Sequence, residues 1–554
     1  MIDINKTDAT IKNIKRQEEE EETKKIAEKL DLPYLNLDIT PIDSSGLDLI
    51  EREEAEQANL IIVYKFGNSL KVAIANPNNK ETEQILNKLK EKKFNINLFI
   101  ASSSSLEKAW KRFKKVKGER KKITKEITVT PEKILQLQQE IETIKDLQKK
   151  LKQLFGMSTT ELIELILAGA LKIEASDVHF EAQKEDTRLR YRIDGLLQDI
   201  VNLPEKTYNF ILSRIKLLSE LKINVHDQPQ DGRFSIKIKD KKIEIRTSII
   251  PSSYGENIVL RILNPKTIAI KLEKLGLEKY ASDIIKKQLK KPHGMIINTG
   301  PTGSGKTTTL YAFIKKINDP NIKIITLENP IEYQLKGIEQ TQVNKDKKYT
   351  FTTGLKSILR QDPDIILLGE IRDNETAGTA IHAALTGHLV FTTLHTNDAA
   401  GAIPRLIDMK VNPKLIPPAL NLVIAQRLIR KVCKNCAKEY KPDQKLIKKL
   451  KQELKEVPEK IKNTYSKLNK NLKLLKSGEG CKKCNFTGYK GRIAIMELFI
   501  IDETMEKFIA KSPSIAEVHE KAVEKGMITL KQDGIFKLLN KVTTLKEIER
   551  ILGI

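Results

Sequence analysis

Residues 295–307 read Met-Ile-Ile-Asn-Thr-Gly-Pro-Thr-Gly-Ser-Gly-Lys-Thr, and this segment constrains the 554-residue chain more than any other. It matches G-x-x-x-x-G-K-[ST] between an apolar strand and a helix expected from Thr307 to about Lys316, the setting in which that pattern binds phosphate. Glycine lets backbone N–H groups turn inward around a β-phosphate, and the following helix N-terminus adds partial positive charge. Gly300, Thr302, Gly303, Ser304, Gly305, Lys306, Thr307 and Thr308 are the candidate nucleotide contacts. The Lys306 ammonium is suited to the β- and γ-phosphates and the Thr307 hydroxyl to Mg²⁺. The plainer alternative is a flexible Gly/Ser turn, but a strand and a helix in register on either side argue against it.

Two acidic strand ends follow. Ile322-Lys-Ile-Ile-Thr-Leu-Glu328-Asn329-Pro-Ile-Glu332 and Asp364-Ile-Ile-Leu-Leu-Gly-Glu370-Ile-Arg372-Asp373 each place carboxylates after an apolar run. In a doubly wound sheet such ends converge on the phosphate loop. One carboxylate would complete a Mg²⁺ shell and another would orient or deprotonate a water. A single such Glu would more often be a helix cap or a surface ion pair; two sets downstream of a phosphate loop favour chemistry.

The length implies several domains. Residues 1–115 read as a small α/β domain with strands near Leu60 and Leu70. Residues 116–157 are a charged linker with one amphipathic helix, carrying Ile134, Leu135, Leu137, Ile141, Ile144, Leu147 and Leu151. Residues 158–265 alternate helix and strands, with a hairpin expected across Asp240–Lys242. Apolar strands then alternate with helices over 266–400, as in a mostly parallel sheet, and 401–554 is read as helical, interrupted by a lysine-rich insert. No window approaches the roughly 18 apolar residues of a spanning helix, and the N-terminus lacks a basic-then-apolar signal layout, so a cytoplasmic location is expected. The net charge of +25 fits either a solvated lysine-rich surface or a functional basic face. Aromatics at 5% leave few stacking platforms for single-stranded nucleic acid.

Taken in order, the segments resemble the type II/IV secretion ATPase superfamily, in its type IV pilus extension and type II secretion branch. Four boxes carry the resemblance: the phosphate loop at 300–307, an aspartate box at Glu328–Glu332, an atypical Walker B segment at Asp364–Asp373, and a histidine box from Thr386-Gly-His388 to His395-Thr-Asn-Asp398. Ala175-Ser-Asp-Val-His179-Phe-Glu181, Tyr191-Arg-Ile-Asp-Gly195, Gln230-Asp-Gly-Arg233 and Tyr254 to Leu263 look like that family's PAS-like second domain. The resemblance implies a RecA-like ATPase core and a catalytic set of Glu332 as general base, Glu370 as Walker B acid and Mg²⁺ ligand, Lys306, and His395 with His388 as γ-phosphate sensors. It further implies that Arg246 and Arg261 swing from the second domain toward the phosphates and that Arg360 and Arg492 lie around the nucleotide; an always-charged fork suits phosphate oxygens. Two positions depart from the family pattern: Asn329 replaces an Asp, and Lys356 replaces an Arg.

All four cysteines fall in two pairs, Cys433-x-x-Cys436 and Cys481-x-x-Cys484, within 433–484. That is tetrathiolate spacing for a structural Zn²⁺; two redox pairs and metal-free thiols are the alternatives. The resulting expectation is an α/β multidomain ATPase that uses ATP and Mg²⁺ as a homohexamer. It would be recruited peripherally to the inner face of the cytoplasmic membrane and act through an inner-membrane platform protein to extend type IV pili. Its first domain would dock cytoplasmic pilus assembly proteins. Some relatives bind cyclic-di-GMP there through paired Arg-Leu-Gly-containing motifs; no such pair occurs here, and that ligand is not expected. A type II secretion ATPase is the near alternative. A DNA translocase and a nucleotide-binding scaffold with little turnover are the distant ones, and no nucleic-acid partner is expected.

Overall fold

The computed structural model describes residues 18–553 apart from 41, 43–45, 47, 48, 67, 68, 93, 111–125, 128–136, 138, 156, 157, 239, 240, 264–269, 345, 463–467 and 469–471. Residues 134 and 135 of the amphipathic stretch and residue 240 of the expected hairpin therefore lie outside the described residues.

Near the N-terminus, β1 (Leu60–Phe66), β2 (Ser69–Ile74) and β3 (Asn95–Ile100) form a sheet in that order, antiparallel and then parallel. The parallel step requires a crossover, supplied by the helix Lys80–Glu91, whose first turn is capped by the Asn79 side chain accepting from Glu81 N–H. Trp110 closes this core, its indole N–H donating to the Leu60 carbonyl at 3.0 Å.

The second sheet is built from β4 (Glu126–Ile127), β5 (Asp177–Ala182), β6 (Asp186–Ile193), β7 (Leu196–Pro204), β8 (Gln230–Ile238), β9 (Lys241–Ser252) and β10 (Gly255–Leu263). Its order is β4-β8-β9-β10-β5-β6-β7. Strand β6 alternates buried and half-buried residues along its whole length, the period-2 signature of a sheet with one covered face. The second strand of the expected hairpin starts earlier than Ile243: Ile238 pairs with Lys241, so Lys241 and Lys242 belong to β9. The helices Thr159–Lys172 and Glu205–Leu218 contribute Leu162, Ile166, Tyr208, Ile211 and Ile215 to the core. The described residues 139–155 of the expected linker are not a simple connection. Ile141, Leu147 and Leu151 are fully buried in this same core, carried in part by the helix Ile144–Gln153. Its apolar stripe seats the helix on the second sheet's core, so these residues of the expected charged linker pack as part of that domain.

The third sheet contains β11 (Gly294–Thr299), β12 (Ile324–Glu328), β13 (Glu339–Gln342), β14 (Ile365–Leu368), β15 (Leu389–Leu394), β16 (Leu420–Val432) and, beyond the small antiparallel pair β17 (Lys438–Tyr440) and β18 (Leu474–Lys476), β19 (Tyr489–Ile500). The order is β13-β12-β14-β15-β11-β16-β19, parallel except for the last pair. Strands β11, β12, β14 and β15 are buried along their whole length, as a sheet covered on both faces demands. Here the expectation for 401–554 is corrected: β16 and β19 are long strands of the central sheet, so this region is not simply helical. The run Leu420–Ala425 is buried throughout because it pairs directly with β11.

The C-terminal helix Leu545–Leu552 is fixed to β16 through the buried Glu547. Its carboxylate accepts from Arg430 N–H at 2.9 Å, from the Arg430 guanidinium at 2.6 and 3.0 Å, and from the Arg550 guanidinium at 2.6 and 2.8 Å. Burial raises the Glu547 pKa, but the Arg550 and Arg430 hydrogen bonds outweigh it and hold the group below the usual carboxylate range. A depressed folded-state pKa means that this stabilisation is present above the unfolded carboxylate pKa and is lost as pH falls through the folded value. Glu547→Ala is expected to cost about 3–5 kcal/mol, read as a lowered midpoint in chemical denaturation at pH 7. The deficit should narrow in acid.

Candidate nucleotide site and cysteine cluster

Parallel register aligns the C-terminal ends of the central strands. Thr299 of β11 pairs with Leu394 of β15, Leu368 of β14 with Thr392, and Leu327 of β12 with Leu368. Gly300, His395, Gly369 and Glu328 therefore emerge at one edge of the sheet. The loop at 300–305 turns on Gly300, Gly303 and Gly305, all at positive φ, and runs into the helix Lys306–Ile317. A Cβ at Gly300 would meet the Gln426 carbonyl at 2.5 Å, so only glycine fits.

Lys306 is buried and folds back on the loop, donating to the carbonyls of Gly300 at 2.7 Å and Pro301 at 3.2 Å. Burial lowers its pKa, the nearby Glu370 charge raises it and Arg427 lowers it again. Glu370, which follows β14, accepts from Arg372 at 2.8 Å and lies 3.5 Å from His395 Nε2. Lys306, Glu370 and His395 are thus one cluster. Thr307 is half-buried in the first helical turn and Thr308 beside it. The buried Ser304 hydroxyl has no hydrogen-bond partner among the described residues, and a Cβ at Gly303 would meet nothing within 4 Å. An orphaned donor and open space over inward-turned glycines fit a phosphate chain, while a hydroxyl and a carboxylate are the hard oxygen donors that Mg²⁺ takes.

The aspartate box divides in two. Glu328 faces the interior, accepting from Thr326 Oγ1 at 2.6 Å, Gln340 Nε2 at 3.3 Å and the Tyr311 hydroxyl, and burial raises its pKa. It anchors the strand end to the phosphate-loop helix. Tyr333 packs on Tyr311 with ring centroids 4.8 Å apart, which holds Glu332 beside that helix. Arg246, from β9 of the second sheet, reaches across to this segment. Its guanidinium donates to the Ile331 carbonyl at 2.9 Å and lies 3.1 Å from Glu332 Oε2.

Arg261 stays within its own sheet, paired with Asp177 at 2.9 Å. Arg492 lies on β19 opposite Arg430, beyond the level of Thr299, near the β6–β7 turn. Two further expected contacts, His388 and Arg360, are likewise not brought to the loop within the chain. His388 precedes β15, its carbonyl accepting from Gly294 N–H and its Nδ1 3.0 Å from the Ala383 carbonyl. That position is about 20 Å along β11 from Gly300 at 3.3 Å per residue. Arg360 sits in the turn before β14 and donates to Lys356 O at 3.0 Å in its own helix end. Both stand at the opposite edge of the sheet, because a strand start and a strand end of one parallel sheet cannot share a site.

Gln426, which no sequence motif singles out, braces the loop from β16. It donates to the Ser304 carbonyl at 2.9 Å and accepts from Asn298 at 2.9 Å. Its signal is positional: it is the residue after Ala425, which pairs with the last residue of β11. Arg427 next to it donates to Asn397 O at 2.7 Å and ties down the end of the histidine box.

The four cysteine thiols lie within 4.8 Å of one another, with Sγ–Sγ separations of 3.8 Å for Cys433–Cys481, Cys436–Cys484 and Cys481–Cys484. Those spacings exclude disulfides. They match the edge of a tetrahedron whose centre is about 2.3 Å from each sulfur, roughly 3.8 Å. The thiols fit a four-coordinate metal.

Strand, glycine-rich loop, helix and converging carboxylates define a P-loop nucleotide-binding protein with an α/β core. The family model described as "Type II/IV secretion system protein" matches residues 156–550, and one described as "MshEN domain" matches residues 30–120. The chain belongs to the type II/IV secretion system protein family. It is 36% identical to a type IV pilus assembly ATPase, PilB, of Myxococcus xanthus over 96% of this chain and 91% of the relative. It is 42% identical to a type II secretion system protein E of Dickeya dadantii over 70% and 75% respectively. The ATPase DotB of Legionella pneumophila superposes with a TM-score of 0.51 at 21% identity, covering 70% of this chain and 95% of that one, which supports the fold. Among the described residues no helix is long and apolar enough to cross a membrane.

Proposed function

We propose that the chain is a Mg²⁺-dependent ATPase, working as a homohexamer, that powers extension of type IV pili through an inner-membrane platform protein. The observation that carries the motor reading is the contact of Arg246 with Glu332 and the Ile331 carbonyl. A residue of the second domain touches the candidate general base, so a change of charge there acts directly on the position of that domain. Pilus assembly is favoured over secretion by the PilB relative, which aligns with the N-terminal region as well as the core. Type II secretion remains the second reading, on the 42% identity of the core.

Lys306 leaves the Gly300 and Pro301 carbonyls and neutralises β- and γ-phosphate oxygens. Glu332 orients the attacking water and accepts its proton. Thr307 and Glu370 are the residues suited to hold Mg²⁺, which would supply positive charge to offset that of the phosphates. His395, 3.5 Å from Glu370, reports the γ-phosphate state to the histidine-box loop. Arg246 exchanges Glu332 for phosphate oxygens, Arg261 and Arg492 approach from the second domain and β19, and domain closure follows. Cys433, Cys436, Cys481 and Cys484 would hold a structural Zn²⁺ that supplies a cross-link and no chemistry. The protein acts in the cytoplasm at the inner face of the membrane.

Steady-state ATPase of the assembled protein, with and without duplex DNA, tests this reading beside Glu370→Gln. Removing the carboxylate should lower turnover by about 10²–10³-fold while MgATP still binds, and DNA should change nothing. Strong stimulation by DNA would replace the pilus motor with a translocase.

A further inference from the structure

Asp177 opens β5 and takes no part in the chemistry above, yet its carboxylate is 5% exposed and charged groups surround it. Oδ1 accepts from Arg261 Nε at 2.9 Å, Oδ2 lies 3.4 Å from Arg192 Nε, and the Ser176 hydroxyl donates to Oδ2 at 2.8 Å. A buried carboxylate is costly unless paired; here two guanidiniums share it.

Strand register shows what the arrangement organises. Arg233 pairs with Arg246, Arg246 with Arg261, Arg261 with Asp177, and Asp177 with Arg192. Residues directly opposite on neighbouring strands share a face, so four arginines and one aspartate form a single row across β8, β9, β10, β5 and β6. Arg246 in that row contacts Glu332, which shows that the row faces the nucleotide site. Arg192 also donates to the Gly195 carbonyl at 3.2 Å in the β6–β7 turn, and Asp194 in that turn accepts from Gly491 N–H at 2.8 Å, next to Arg492 on β19.

We infer that Asp177 is a positioning residue for ATP hydrolysis. Through Nε it orients Arg261, leaving the two terminal nitrogens for phosphate oxygens, and through Arg192 it sets the turn that docks the second domain on the strand of Arg492. Arg192 becomes a further member of the phosphate-facing row. A guanidinium pinned at one nitrogen loses less freedom on meeting phosphate than a free one, so the gain falls on the state with the γ-phosphate engaged. This inference rests on the ATPase reading.

The test is Asp177→Asn in the full-length assembled protein, which keeps the shape and removes the charge, together with Arg261→Ala and the double variant. kcat is expected to fall about tenfold with ADP affinity unchanged. Asp177→Asn in the Arg261→Ala background should cost less than about twofold more, as in a coupled pair. Hydrogen exchange in the peptide 489–493 should rise in Asp177→Asn. Parental turnover in the single variant, or losses that multiply in the double one, would overturn the inference while leaving the ATPase reading intact. Absence of turnover in the parent would remove both, and the parental control separates the two failures.

Discussion

Lys306→Ala should abolish measurable ATP turnover, with a loss of at least about a hundredfold, the scale set by removing one preorganised charge donor. The structure gives two reasons for so large an effect. Lys306 is 9% exposed and its ammonium is already held by two loop carbonyls, so it meets phosphate in a site where water screens little. Its removal also takes away the cation on which the Glu370 charge acts, leaving that carboxylate and a triphosphate of the same sign with one positive charge fewer between them. Lys306→Arg should fail nearly as badly, since the planar fork cannot occupy the space between the Gly300 and Pro301 carbonyls that a point charge fills. Steady-state phosphate release and nucleotide titration check both variants. Full turnover in either would remove Lys306 from the site.

The second large effect concerns the cysteine cluster. Native protein should carry one metal ion per chain by elemental mass spectrometry, and Cys484→Ser should lose it. A structural Zn²⁺ is worth about 10–16 kcal/mol in isolated modules, and here the four thiols stand between the end of β16 and the start of β19. Its module shares an apolar core with the C-terminal helices, where Leu450, Leu454, Leu472 and Leu474 pack with Phe536 and Leu538. Without metal, hydrogen exchange across residues 433–484 should accelerate by at least about a thousandfold, while the remote N-terminal sheet is unaffected. Disulfides in the native protein, or unchanged exchange in the variant, would contradict the metal site.

The phosphate loop, both carboxylate segments and the cysteine pairs were legible because each is a short local pattern whose geometry follows from a few residues. Glycines at 300, 303 and 305 prescribe a turn, and two Cys-x-x-Cys pairs prescribe two knuckles. Long-range placement was not legible. Nothing local to His388 tells that it starts a strand whose other end carries His395, and nothing local to Arg360 puts it at the far edge of the sheet. Strands β16 and β19 were hidden in a stretch read as helical. A buried strand is a continuous apolar run that periodicity cannot separate from a buried helix, and its pairing with β11 is a tertiary fact. The stretch 116–157 misled in the same way: an amphipathic helix shows an apolar stripe, but not which core it meets. Gln426 and Asp177 act through register across neighbouring strands, which no single segment encodes.

In the mechanism proposed above, nucleotide state moves the second domain against the ATPase core. This motion is tested most directly by the distance between a probe at Tyr254, exposed on the second sheet, and one at Lys507, exposed on the core. Distances would be compared in nucleotide-free, ADP-loaded and MgATP-loaded Glu370→Gln protein. MgATP should shift the distribution as Arg246 leaves Glu332, and ADP should return it. One unchanged distribution in all three states would contradict it.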